Sequence, residues 1–192
     1  MNQQIHSGSG DNIHAERDVV IHESQKIMSD LTTVLSELSK KMFIDSQSES
    51  DVQQKIVISP EVKILYNNVQ RFKPIIDNYK LFIGKLNALY NQYDLQGTNK
   101  THLILENITI KYLNAKELLK QKYPCMKEIE LVRKHSDDLI CAVEESLVEE
   151  IKKSSNLEIS IEAINVAIQV VLIDAFIRCK ILERPPEDAF TK

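Results

Sequence analysis

From Ala163 to Ile177 the side chains are apolar around nearly the whole circumference of a helix, with only Asn165, Gln169 and Asp174 breaking the pattern. A helix without a polar face has to be enclosed by other elements, so this run demands a bundle with itself at the centre. Ser160 stands where a cap belongs, Ile159 and Ile164 where a hydrophobic staple would sit, and Pro185-Pro186 where the helix should end. Glu162, Asn165, Gln169 and Asp174 make the segment a poor lone membrane span. No membrane association is expected.

Helices to surround it are legible upstream. Ile27, Leu31, Val34, Leu35, Leu38 and Met42 recur at helical spacing from Ser24 onward. Ser59-Pro60 marks a second start, serine as cap and proline in the first turn, followed by a stripe of Val62, Leu65, Val69, Phe72, Ile76, Tyr79, Ile83, Leu86 and Tyr90. Pro74 interrupts that stripe, so a kink or a junction of two helices is expected near Phe72 and Lys73. A turn over Asp94 to Lys100 leads into a run through Leu103, Leu105, Ile108, Tyr112 and Leu119 to Tyr123-Pro124, although Ile108-Thr109-Ile110 is β-branched. Glu128 to Lys134 reads as a short helix. Ser136 reads as the cap of a longer one, with Asp137 and Asp138 against the positive end of its dipole and Leu139, Val143, Leu147 and Ile151 along its inner face.

Four glycines and five prolines leave little turn material for a sandwich or barrel. The expected fold class is therefore mainly α, a helical bundle over residues 23–192 with a polar linker at 44–59 inside it. The linker opens with the serine-rich string DSQSESDVQQ.

Residues 1–22 differ in character. Ile-His recurs at Ile5-His6, Ile13-His14 and Ile21-His22, a spacing of eight, around turn-forming Ser7 to Asn12, and Asp18 to His22 reads DVVIH. This suits a short β-hairpin-like leader. A lone hairpin cannot bury its own apolar face, so its edges are expected to pair with another strand edge in a complex or with a second copy. Ile5, Ile13, Val19, Val20 and Ile21 are thus candidate partner-binding residues. Stacked Ile-His steps could bring three imidazoles onto one ion, but no cysteine or carboxylate pair completes such a site; no metal site is expected.

Charge is mixed along the chain, 28 acidic and 24 basic residues for a net −4, with no basic arm to displace counterions from DNA. Direct DNA binding is therefore the weakest of the binding readings. Cys125, Cys141 and Cys179 are odd in number, far apart and without a C-x-x-C pair, as reduced core thiols of a cytoplasmic protein would be. No phosphate loop, G-x-S-x-G elbow or H-E-x-x-H pair occurs, so no catalytic residue and no cofactor are expected. Asp174 and Arg178 are spaced to pair on one helix face. A charged pair in so apolar a run is either structural or, with Phe176, an anchor for a partner subunit.

Two strings carry a resemblance. SGSGDN at Ser7 to Asn12, with DVVI at Asp18 to Ile21, resembles the glycine-aspartate-asparagine leader of subunits of bacterial conflict systems. IQVVLIDAFIRCKILE at Ile168 to Glu183, followed by Arg184-Pro185, is similar to the closing helix of a helical domain in the ABC-three-component defence systems, which include the Lamassu type. The resemblance implies a small accessory subunit acting beside an SMC-like ABC ATPase that senses foreign DNA and beside an effector, often a nuclease. With 22 non-helical residues before the helical region, the chain is expected to be the adaptor and not the effector, touching DNA only through the complex. A self-assembling scaffold, its leader pairing with copies of itself, is the alternative from the residues alone.

Overall fold

The structure, a computed structural model, describes residues 30–44, 59–95, 99–153 and 160–186. The leader at 1–22, Ile27, the greater part of the linker and Ile159 lie outside the described residues. Within them the fold is helical, with no strand. The α-helices are α1 (Asp30–Ile44), α2 (Pro60–Asn67), α3 (Lys73–Tyr79), α4 (Ile83–Asp94), α5 (Lys100–Lys122), α6 (Glu128–Lys134), α7 (Ser136–Lys153) and α8 (Ile161–Ile177), with a single 3-10 turn at Lys80–Phe82.

α8 is the centre, as its composition requires. Ala163, Ile164, Ala167, Ile168 and every residue from Val170 to Phe176 are buried, enclosed by α1, α3, α4 and α7. Leu35 and Leu38 of α1, Leu86 and Leu89 of α4, Leu147 of α7 and Ile168 of α8 share this core with Ile108 of α5. Each such side chain contributes about 1.5 to 3 kcal/mol of burial. α5, the longest helix, lies outside, against α7, α4, α6 and α1. Its β-branched segment does not break it, because Ile108 is fully buried and the Thr109 hydroxyl bonds back to the Leu105 carbonyl at 2.9 Å.

Local signals set most boundaries. Ser59 Oγ accepts from the Val62 amide and Ser160 Oγ from the Ala163 amide, each at 3.2 Å. Pro74 falls in the first turn of α3, where its missing N–H costs nothing. α2 ends with Asn68 at φ 56°, the Val69 amide reaching Ile64 O and the Asn68 amide reaching Leu65 O.

Several expectations are corrected. Ser136 is the first residue of α7 and not its cap; its hydroxyl donates to Asn68 O. The Asp137 carboxylate accepts the backbone amides of Gln70, Arg71 and Phe72 at 3.0 to 3.1 Å, organising the α2–α3 connection. α8 ends at Ile177, well before the proline pair. The Lys180 amide bonds Ala175 O, the Cys179 amide bonds Phe176 O, and Cys179 takes a left-handed φ of 57° where glycine is usual. The thiols are not fully buried core groups either: Cys125 is exposed, Cys179 is half-buried, and Cys141 is half-buried against the core.

Candidate interaction site

The segment after α8 is drawn back into the bundle by two residues of α2. Lys63 is 1% exposed, and its Nζ donates to Phe176 O at 2.5 Å and Ile181 O at 2.9 Å while lying 4.6 Å from the Phe176 ring centroid. The last carbonyls of a helix lack intrahelical donors and carry the negative end of its dipole, so a cation here satisfies both needs. Burial holds the Lys63 amine down at about 8, against the opposing pull of Cys179 and Glu183. Asn67, fully buried, donates from Nδ2 to Glu183 O and accepts the Glu183 amide at its Oδ1, both at 2.9 Å.

The other flank is held by α5. The Glu183 carboxylate accepts from Tyr112 Oη at 3.3 Å and faces Lys116 Nζ at 3.6 Å; Lys116 also reaches Glu128 of α6 at 2.6 Å. Burial first, then the Glu183 charge, pushes the Tyr112 hydroxyl well above the usual tyrosine range. Ile181 and Leu182 fill the gap between. The string RCKILE thus acts as a strap locked between α2 and α5.

Of the expected stripe Val62, Leu65 and Val69, Val69 is buried just past α2, but the helix itself turns Lys63, Ile64 and Asn67 inward and leaves Leu65 69% exposed. The cue that was present is the polar pair Lys63 and Asn67 at a spacing of four, one face of a helix.

Asp174 and Arg178 do pair. Arg178 Nε lies 2.9 Å from both Asp174 carboxylate oxygens, its Nη2 donates to Asn87 Oδ1 of α4 at 2.6 Å, and its guanidinium sits 5.7 Å from the Tyr90 ring centroid. Burial pushes the Asp174 carboxyl up, with Arg178 opposing. Asp174 and Phe176 are enclosed by this chain's own residues. Of the three expected anchors only Arg178, half-buried, reaches the surface. The remaining expected partner-binding residues, Ile5, Ile13, Val19, Val20 and Ile21, lie outside the described residues.

What the surface does present is the outer face of α5. Leu103, Ile110 and Leu113 are 57%, 55% and 47% exposed, and at 100° per residue they fall on the side opposite Leu105, Ile108 and Tyr112. Leu103, expected in the inward stripe, therefore belongs to the outward one. Single exposed leucines are ordinary, whereas several aligned on one helix are the kind of surface that associates.

These features define a helical domain: an enclosed central helix, a strap that closes the bundle, and an outer helix with an apolar face. The sequence matches the family model of C-terminal domain 10 of the ABC-three component (ABC-3C) systems over residues 29–183, and the chain belongs to that family. The match begins beside the first residue of α1 and ends at Glu183, the strap residue bonded to Asn67. No curated protein and no solved structure matches the chain. Among the described residues no helix is long and apolar enough to cross a membrane.

Proposed function

We propose that this chain is a non-catalytic accessory subunit of a Lamassu-type ABC-3C defence system, bridging an SMC-like ABC ATPase and a nuclease-type effector in the cytoplasm and governing the effector's release. Membership of an ABC-3C domain family supports action within a multi-component assembly. The observation that carries the binding role is the aligned, exposed Leu103, Ile110 and Leu113 on α5, an apolar strip at a spacing that a partner helix can read. DNA is contacted through the ATPase in this reading.

The test is co-purification of the tagged full-length chain with the ATPase and effector encoded beside it. Recovery of both, lost with Leu103→Glu/Ile110→Glu while the variant stays folded by circular dichroism, is the expected result. Recovery of the chain alone as a discrete oligomer would replace this reading with the self-assembling scaffold. Retention on duplex DNA without the ATPase would replace it with a DNA-binding module.

A further inference from the structure

α5 and α7 run antiparallel, tied near one end by Lys111 to Glu150 at 2.8 Å and Asn107 to Glu150 at 3.2 Å. Beyond that tie they part into an open trough of about 390 Å³, lined by Ala115, Leu118, Leu119, Leu139 and Ala142 and running from Lys111 and Ser146 to Lys122 and Asp138. Lys122 lies eleven positions after Lys111 on α5, so the trough is about 16 Å long, roughly three helical turns. Leu118 stands at its edge, 68% exposed. An apolar trough of that length between two helices suits the apolar stripe of a third.

Charge gives the trough a direction. At one end Lys111 is neutralised by Glu150. At the other, Lys122 and Lys134 Nζ lie 5.6 and 5.9 Å from the centroid of the same Tyr123 ring, which stacks on His135 at 5.0 Å. No carboxylate of a described residue forms an ion pair with either lysine: Asp138, at the same rim, hydrogen-bonds His135 at 3.0 Å, and Glu128 pairs with Lys116. Two ammonium groups on one ring, with the single carboxylate of Asp138 at that rim, stand beside an apolar channel.

We propose that the α5–α7 trough receives an amphipathic helix of another chain, with its apolar stripe on Leu118 and Leu119 and acidic side chains at the end facing Lys122 and Lys134. The inference rests on the reading of this chain as a partner-binding component, and it names a second face of α5, next to the outward strip. A nucleic acid would use the lysines but leave the apolar lining wet. A second copy of this chain would show itself in the mass of the isolated protein.

The experiment is fluorescence anisotropy on the full-length chain with a labelled three-turn helical peptide. The probe has leucines at i, i+3, i+4 and i+7 and two glutamates at one end; a control peptide has lysines in their place. Saturable binding is expected, weakened about tenfold or more for the lysine peptide, in Leu118→Glu and in Lys122→Glu/Lys134→Glu, and unchanged in Leu103→Glu. Equal affinity for the two peptides, undiminished binding by Leu118→Glu, or no saturation would each overturn the proposal. So would binding of a labelled DNA duplex in place of the peptide, or a dimer that Leu118→Glu converts to monomer. Loss of co-purification in Leu103→Glu/Ile110→Glu with peptide binding intact separates the two surfaces, so either reading can fail alone.

Discussion

Asn67 and Glu183, 116 positions apart, are joined by two reciprocal hydrogen bonds of 2.9 Å, the amide side chain of one serving both backbone groups of the other. A single side chain thereby does for the strap what a β-bridge would do. Because those backbone groups are withdrawn from water, removing their partner exposes the whole desolvation cost. Asn67→Ala is expected to destabilise the fold by about 2 to 3 kcal/mol in urea denaturation. Asn67→Asp is expected to do no better, since it keeps the acceptor for the Glu183 amide but sets a carboxylate against Glu183 O. A midpoint close to that of the parent protein in Asn67→Ala would show that the strap is held by Ile181 and Leu182 alone.

Lys63 gives the stability a pH dependence of known sign. Its amine has a folded value of about 8 against 10.5 for a free lysine. Between those values the unfolded chain binds more protons than the folded one, so stability rises with pH across that window, by on the order of 3 kcal/mol at most. Tyr90 and Tyr112 act oppositely. Burial raises both hydroxyls above the ordinary value of 10.0, so the folded state holds their protons longer and stability falls once pH passes that value. The expected profile climbs from pH 8, peaks near 10 and then declines. In Lys63→Met the climb should disappear and the decline remain. A climb of equal size in the variant would assign it to another group.

The parts of this fold that were legible are those set by the chain's own neighbours in sequence. Ser59-Pro60 and Ser160 act within one helical turn, Pro74 enforces a helix start, and the all-round apolar character of α8 admits only a central position. What was not legible depends on contacts across the chain. Nothing near Asp137 announces that its carboxylate will serve the amides of Gln70 to Phe72. Lys63 and Asn67 look like solvent-facing residues until the end of α8 supplies the carbonyls that make their burial favourable. The same holds for the candidate interaction site. The spacing of Asp174 and Arg178 announces their pairing, whereas the apolar strip of α5 is hidden in the sequence, because Leu103 lies close to inward residues and the packing partners that fix the helix's rotation sit on α7 and α4.

The buried pair itself is open to test. Asp174→Ala removes the counter-charge of Arg178 and is expected to lower stability by about 3 kcal/mol, the low end for a broken buried pair. The low end applies because Arg178 keeps Asn87 and its side chain is 26% exposed. Asp174→Asn, which retains one acceptor, should lose less. Thermal unfolding of both variants decides this, and a loss in Asp174→Ala within error of zero would mean that solvent alone satisfies the guanidinium.

Cys179 offers a substitution that should stabilise. It occupies the left-handed position just past α8, at φ 57°, where a Cβ costs energy that glycine avoids. Its thiol makes only weak contacts in return, one to Ile177 O at 3.8 Å and one beside the Lys63 amine. Against the gain stands the greater freedom of glycine in the unfolded chain, so the net benefit of Cys179→Gly is expected to be about 0.5 to 1 kcal/mol. Cys179→Val should destabilise, because a β-branched residue is the least tolerant of that conformation. Denaturant midpoints of the two variants on either side of the parent protein's would support the left-handed geometry of the turn. If glycine proved no better than valine, the turn from α8 into the strap would have to be built differently, and with it the seat of Lys63.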